Sequence, residues 1–97
     1  MKPKENPQID VIDQVEEVLE DVKLWSLVVF NDDVNTFDHV IDTLVDVCDH
    51  ETTQAEQCAM LIHLKGKCAV NSGEYDELVS QRNEICRRGI SAEVMVK

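Results

Sequence analysis

Three consecutive side chains, Asn31, Asp32 and Asp33, place two carboxylates beside an amide. Adjacent carboxylates repel each other, so they are costly unless a cation or hydrogen-bond donors satisfy them. Together with the amide they present acceptors and a single donor group, whereas an ammonium group offers three donors and no acceptor. The segment therefore indicates a site for a positively charged donor such as an amine.

The same segment has two other interpretations, a calcium-binding loop and a polar connection that caps a helix. A calcium loop counted from Asn31 would need Gly at its sixth position and Glu at its twelfth, where the chain has Thr36 and Asp42. Calcium is disfavoured for that reason. A polar connection in which Thr36 caps the following helix remains a full alternative to an amine site.

His63 is a further candidate, placed near the end of a predicted helix. An imidazole in the last turn of a helix is commonly a rim residue that interacts with the helix dipole. The alternative is an imidazole that contacts a ligand beside the Asn31 loop. Spacing along the chain does not decide between the two.

Catalytic motifs are missing from the sequence. The serines lack G-x-S-x-G, and there is no Walker A, G-x-G-x-x-G or H-E-x-x-H pattern. Adjacent carboxylates in an extended chain point in opposite directions, so Asp32 and Asp33 are poorly placed for acid–base work across one bond. We therefore expect no enzymatic activity.

The cysteines also lack metal-ligand spacing, because no C-x-x-C pair occurs. They stand among apolar neighbours, where a thiol behaves as a small hydrophobe. We predict reduced core thiols, no metal and no other cofactor. The residues concerned are Cys48, Cys58, Cys68 and Cys86.

Composition narrows the class of partner. The 97 residues suit one domain, and their net charge of -11 argues against nucleic acid and against an anionic membrane surface. No apolar run approaches the ~18 residues that a membrane span needs. The first residues have no signal-peptide core, so we expect a cytoplasmic protein.

The elements that must position the candidate residues follow from periodicity. Residues 24–30 predict a strand that is apolar on both faces and hence central. Apolar residues recur with helical spacing from Phe37 to Cys48, and Thr53 with Glu56 predicts a capping box for a second helix that Gly66 ends. A strand at 67–70, a turn at 71–73, a helix from Tyr75 until Gly89 and a strand at 90–96 follow. This order predicts an α+β fold, with three helices packed on a small three-stranded antiparallel sheet.

An N-terminal extension precedes this domain, which we place at 23–97. Residues 1–22 are acidic, and we predict that they are flexible or partly helical. Residues 8–22 have apolar positions at helical spacing opposite an acidic face.

The stretch LVVFNDDVNTFDHVIDTL, followed later by QAEQCAMLIHLKGKCAV, resembles the ClpS family. Its members are adaptors that deliver N-degron substrates to a bacterial Clp AAA+ protease. The shared marks are an apolar strand ending in N-D-D, a helix with V-I-D, and a helix ending in a hydrophobic-His pair before G-K. The resemblance covers about 24–97 and implies the same fold of three helices on an antiparallel sheet.

The resemblance also implies a ligand. Family members bind proteins whose first residue is Leu, Phe, Tyr or Trp. Carried over by position, the α-amino group and first peptide would be held by Asn31, Asp32, Asp33, Asn35 and His63. The side-chain pocket would be lined by Phe37, Val40, Ala59, Ile62 and Ile90.

The implied partner is the N-terminal domain of a Clp unfoldase, either ClpA-like or ClpC-like. In the competing interpretation, the chain is a non-enzymatic docking or regulatory domain on such an unfoldase that does not read N-terminal residues. The set of Asn31, Asp32 and His63 favours the first interpretation, because a domain kept only for docking has no need of it.

Overall fold

The computed structural model describes residues 25–97, so the prediction for the extension at 1–22 lies outside the described residues. Six elements follow in the order predicted from the sequence. They are β1 (Trp25–Phe30), α1 (Phe37–Cys48), α2 (Thr52–Lys65), β2 (Lys67–Gly73), α3 (Tyr75–Arg87) and β3 (Ala92–Val96).

The strand β1 lies at the centre of a three-stranded sheet ordered β2-β1-β3, and it is antiparallel to both neighbours. This confirms the central position predicted from its apolar run, since Leu27 and Val29 are buried on one face and Val28 on the other. Phe30, the last residue of β1, therefore lies between the beginning of β2 and the segment before β3.

One face of the sheet carries the core. Leu27 and Val29 pack with buried side chains from every helix, including Leu44 of α1, Ile62 of α2 and Leu78 of α3. Helices on one face of an antiparallel sheet form the α+β architecture predicted from the sequence.

Two of the helix termini agree with the predictions from the sequence, and a third does not. The Thr36 hydroxyl caps α1 by accepting from the His39 N–H at 3.1 Å, and Gly66 ends α2 with a φ of 90°. The capping box at Thr53 is wrong, because α2 begins at Thr52 after Glu51, which makes no side-chain capping bond. The spacing of Thr53 and Glu56 predicted a cap at Thr53, but Thr53 lies inside the helix and does not precede it.

The strand β2 is longer than predicted. Residues 71–73, expected to turn, continue the pairing with β1 as far as Gly73 opposite Trp25. The register shifts between Leu27 and Val28, so Val70 is an extra residue on β2. A bulge of this kind bends a strand without ending it, which explains why turn-forming residues remain inside the sheet.

The cysteines are free thiols. Burial raises the pKa of Cys48 and of Cys58 to about 11, so both stay protonated at neutral pH. Within residues 25–97, no group of three or more His, Cys, Asp or Glu side chains is arranged to hold a metal ion. In the same part of the chain, none of the helices is both long and apolar enough to cross a membrane.

Candidate functional site

The loop after β1 is held by backbone hydrogen bonds from both sides. The Phe30 N–H donates to the Ser91 carbonyl at 3.0 Å, and the Asn31 N–H donates to the Gly66 carbonyl at 2.9 Å. Gly66 lies at the end of α2 and Ser91 just before β3. The first residue of the N-D-D motif is therefore fixed between two turns that are distant in sequence.

The Asp32 carboxylate organises the loop. Its Oδ1 accepts from the N–H groups of Val34 and Asn35, each at 2.9 Å. Its Oδ2 accepts from the Asn35 side-chain amide at 2.8 Å. A carboxylate can accept about four hydrogen bonds, so these three bonds leave it one acceptor position.

These donors keep Asp32 ionised. The pKa of its carboxyl is lowered, chiefly by the hydrogen bond from the Asn35 backbone N–H, with further contributions from the Asn35 side chain and the Val34 N–H. Partial burial opposes this shift, and the nearby His39 adds a small lowering. Asp32 is therefore a negatively charged acceptor throughout the neutral pH range.

The loop is also tied to the segment between α3 and β3. The Asn35 amide donates to the Gly89 carbonyl at 2.8 Å. The His39 Nε2 lies 2.9 Å from the Arg88 carbonyl, and since a carbonyl only accepts, Nε2 carries the hydrogen. The loop and the first turn of α1 thus contact two successive carbonyl groups.

A surface cavity of about 330 Å³ opens beside this loop. It contains nine of the ten side chains that the resemblance singled out, together with Thr36. The lining residues are Asn31, Asp32, Asp33, Asn35, Thr36, Phe37, Val40, Ala59, Ile62 and His63.

The loop after β1 supplies most of the polar side chains of the cavity, and two helices supply the apolar ones. Phe37 and Val40 lie three residues apart in α1, and Ala59, Ile62 and His63 follow the same helical spacing in α2. Ala59 and Ile62 are each 3% exposed, whereas His63 is exposed. The fold thus brings His63 to the Asn31 loop, which spacing along the chain did not decide.

Ile90 is the predicted site residue that the cavity does not include. It is 3% exposed and belongs to the hydrophobic core with Leu78 and Ile85. It precedes β3, which begins at Ala92 rather than at residue 90. Ile90 therefore stabilises the segment that the loop contacts and is not among the lining residues.

Two features of the site were not recognised from the sequence. Thr36 lines the cavity as well as capping α1, and its position between Asn35 and Phe37 was a sufficient signal. The contact of Asn35 with Gly89 joins residues 54 positions apart, and no local sequence pattern predicts it.

Fold and site together define a small α+β module with a cavity that is lined by an acceptor-rich loop and by apolar side chains of two helices. The sequence profile of the family described as ATP-dependent Clp protease adaptor protein ClpS matches residues 20–93. The chain belongs to this ClpS family of Clp protease adaptors.

A curated relative and a solved structure agree with that assignment. The ATP-dependent Clp protease adapter protein ClpS of Corynebacterium aurimucosum is 27% identical over 90 residues, which is 93% of this chain and 81% of the relative. The structure of Agrobacterium tumefaciens ClpS2 bound to L-phenylalaninamide is similar in fold, with a TM-score of 0.74 at 20% identity. That match covers 77% of this chain and 98% of the other.

Proposed function

We propose that this chain is a non-enzymatic adaptor that binds the free α-amino group and the large hydrophobic first side chain of N-degron proteins. It would present these proteins to a Clp AAA+ unfoldase in the cytoplasm. The observation that carries the proposal is the cavity in which Asn31, Asp32 and His63 adjoin the apolar side chains of Phe37 and Ile62.

The polar part suits an α-ammonium group. Asp32 is ionised and retains one acceptor position, the Asn31 side chain offers a carbonyl oxygen, and the His63 imidazole can offer one ring nitrogen as an acceptor. These acceptors match the three hydrogens of an ammonium group. An internal peptide N–H offers one hydrogen and no charge, so this part of the cavity discriminates N-termini from internal residues.

The apolar part suits one large side chain. Burying a residue such as Leu or Phe contributes roughly 1.5–3 kcal/mol. The charged part alone would accept any N-terminus, and the apolar part alone would accept any internal Leu. Specificity for an N-terminal Leu, Phe, Tyr or Trp therefore needs both parts in one cavity.

The ligand of the similar solved structure supports this chemistry. L-phenylalaninamide, bound by Agrobacterium tumefaciens ClpS2, has a free α-amino group, a large hydrophobic side chain and an amide in place of the next peptide bond. It is therefore the minimal form of an N-terminal Phe. We infer that this chain takes ligands of the same class.

The partner follows from the family. Clp protease adaptors act with the Clp system, and we propose that the docking partner is the N-terminal domain of a ClpA-like or ClpC-like unfoldase. Binding of the purified N-terminal domains, measured side by side, would identify which of the two is used.

Two peptides that begin with Leu and differ only in N-acetylation test the proposal. We expect the free amine to bind at least about tenfold more tightly, because acetylation removes a charge-assisted hydrogen bond of ~1.5–3 kcal/mol. A free-amine peptide beginning with Gly controls for the apolar part and should also bind weakly. Equal affinity for the free and acetylated Leu peptides would contradict the proposal and favour a docking domain that does not read N-termini.

A further inference from the structure

Asn35 has no amide hydrogen left for a ligand. One hydrogen of its side-chain nitrogen is donated to Asp32 Oδ2 and the other to the Gly89 carbonyl, each at 2.8 Å. A primary amide has two donor hydrogens, so both are used within the protein. The side chain therefore connects Asp32 to Gly89 directly.

The two oxygens of Asp32 are held in different ways. Oδ1 accepts two N–H groups of its own loop, from Val34 and Asn35. For Oδ2, the Asn35 amide is the sole hydrogen-bond partner among residues 25–97. The carboxylate turns about its Cβ–Cγ bond, and the bonds to Oδ1 hold it only to its own loop, so the Asn35 amide is the contact that ties Oδ2 to the turn at Gly89.

Gly89 is a rigid attachment point. Its φ of 88° allows the tight turn after α3, and its N–H donates to the Cys86 carbonyl at 3.0 Å. The next residue, Ile90, is 3% exposed in the core, with its N–H bonded to the Ile85 carbonyl. The Gly89 carbonyl thus has little freedom to follow the loop.

Arg88 fixes the same turn against α1. Its guanidinium donates to Asp46 and to Glu84, each at 3.1 Å, and its carbonyl accepts from His39. The turn is therefore joined to α1 at two points besides the Asn35 contact. A displacement of the Asp32 carboxylate would have to break the Asn35 link to this braced turn.

We infer that Asn35 is a positioning residue, which orients the Asp32 carboxylate by linking it to the turn at Gly89, and does not contact the bound peptide through its amide nitrogen. The inference deepens the proposed function and rests on it for the identity of the ligand. The link between Asn35 and Asp32 is independent of any ligand. Loss of the link should weaken recognition of the amine while leaving the apolar part of the cavity intact.

Two substitutions test the inference, and a third serves as a control. Asn35→Ala removes both donors, and Asn35→Asp keeps the shape but replaces the donors with a second carboxylate. Asn71→Ala is the matched control, since it removes another part-buried Asn whose amide donates to Gln81 at 2.8 Å and which lies outside the cavity lining. Each variant is made in the full chain and compared by thermal unfolding.

The first measurement is the pKa of the Asp32 carboxyl, followed by NMR in the absence of peptide. We expect the pKa to rise in Asn35→Ala and further in Asn35→Asp, because a neighbouring carboxylate disfavours the ionised form. Asn71→Ala should leave it unchanged. An unchanged Asp32 pKa in both Asn35 variants would overturn the inference.

The second measurement is the ratio of affinities for the free and the N-acetylated Leu peptide. We expect both Asn35 variants to reduce this ratio about tenfold, the scale of one lost charge-assisted hydrogen bond. Asn71→Ala should keep the wild-type ratio even if it unfolds at a lower temperature. Wild-type ratios in both Asn35 variants would also overturn the inference.

The two proposals fail in distinguishable ways. If the wild-type chain binds both peptides equally, the proposed function fails, and the Asp32 pKa in the ligand-free variants still decides whether Asn35 controls the carboxylate. If the wild-type chain prefers the free amine and the Asn35 variants keep that preference, the proposed function stands and the positioning role is wrong.

Discussion

At the residue scale, Asp32 serves the structure of its own loop, and under the proposed function it also binds the ligand. Three of its hydrogen bonds close the loop, and they stabilise the ionised form that an amine requires. The repulsion expected between adjacent carboxylates is offset, because Asp32 accepts three hydrogen bonds while Asp33 is exposed to solvent. The cost of placing two carboxylates beside a buried strand is therefore small.

Ala59 is the smallest apolar side chain that lines the cavity. It is 3% exposed in the wall formed by α2, so Ala59→Met should extend a side chain into the space that the ligand would occupy. We expect peptides beginning with Phe or Trp to lose about tenfold in affinity relative to Leu, on the scale of ~1–3 kcal/mol for overfilling a packed site. Affinities for peptides differing only in their first residue measure this change.

Met60 supplies the control for that experiment. It neighbours Ala59 in α2, is 46% exposed and does not line the cavity. Met60→Ala should therefore leave the ranking of first residues unaltered. An identical ranking in Ala59→Met and in the wild-type chain would show that Ala59 does not border the bound side chain.

At the scale of elements, the site depends on where helices and strands end. The central strand β1 delivers Asn31 to a position between the Gly66 turn and the segment before β3. The helix α1 begins within the cavity lining, so its first two turns supply Phe37 and Val40. Small changes at these termini should therefore affect the site more than changes in the middle of an element.

Two threonines allow a test of helix capping. The hydroxyl of Thr36 accepts a hydrogen bond from the His39 N–H, and Thr36→Ala should lower the free energy of unfolding by ~1 kcal/mol. Thr53, the predicted cap that the structure does not use, lies inside α2 and is exposed. Thr53→Ala should change the free energy of unfolding by less than about 0.5 kcal/mol.

Denaturant unfolding of both variants beside the wild-type chain measures the difference. The two substitutions remove the same hydroxyl and methyl groups, so they differ only in the surroundings of the side chain. Equal destabilisation by both would mean that the Thr36 hydroxyl contributes nothing specific to α1.

At the scale of the whole molecule, the proposed binding and the proposed delivery can be assigned to different parts of the chain. The net charge of -11 suits solubility and cationic partners. Among residues 25–97, those that line the cavity lie between Asn31 and His63, so we expect the cavity to form without residues 1–20. The two activities can therefore be tested independently.

Deletion of residues 1–20 is the corresponding experiment. We predict that the truncated chain binds a Leu-initiated peptide within about twofold of the full chain, a change well below one hydrogen bond, but delivers it poorly to the unfoldase. The resemblance to ClpS implies that such an extension is engaged by the unfoldase during delivery. Peptide affinity and the rate of degradation of an N-degron protein are the two readouts.

The full-length chain assayed in parallel provides the reference. If the truncated chain supports degradation at the full rate, the acidic extension serves solubility and takes no part in delivery. If the truncated chain loses peptide binding, the cavity depends on residues outside its lining, and the separation of the two activities is wrong.

The sequence by itself determined the elements, because each depends on local periodicity and local backbone preference. The apolar run at Leu27 predicted a central strand, the spacing from Phe37 predicted α1, and Gly66 predicted the end of α2. The residues of the resemblance to ClpS went further and selected the side chains that the cavity brings together. Predictions from local patterns were wrong where the backbone conformation depends on pairing with another strand. At residues 71–73, the predicted turn is part of β2, because a bulge keeps the chain paired with β1.

Only the tertiary structure decided how the site is supported. The link from Asp32 through Asn35 to Gly89 joins residues far apart in sequence, and such a contact depends on how α3 and β3 pack against α1. The same packing buries Ile90 in the core, although the resemblance to ClpS implied that it lines the cavity. A hydrogen bond of this kind requires sub-ångström placement of both partners, which packing supplies and sequence periodicity does not specify.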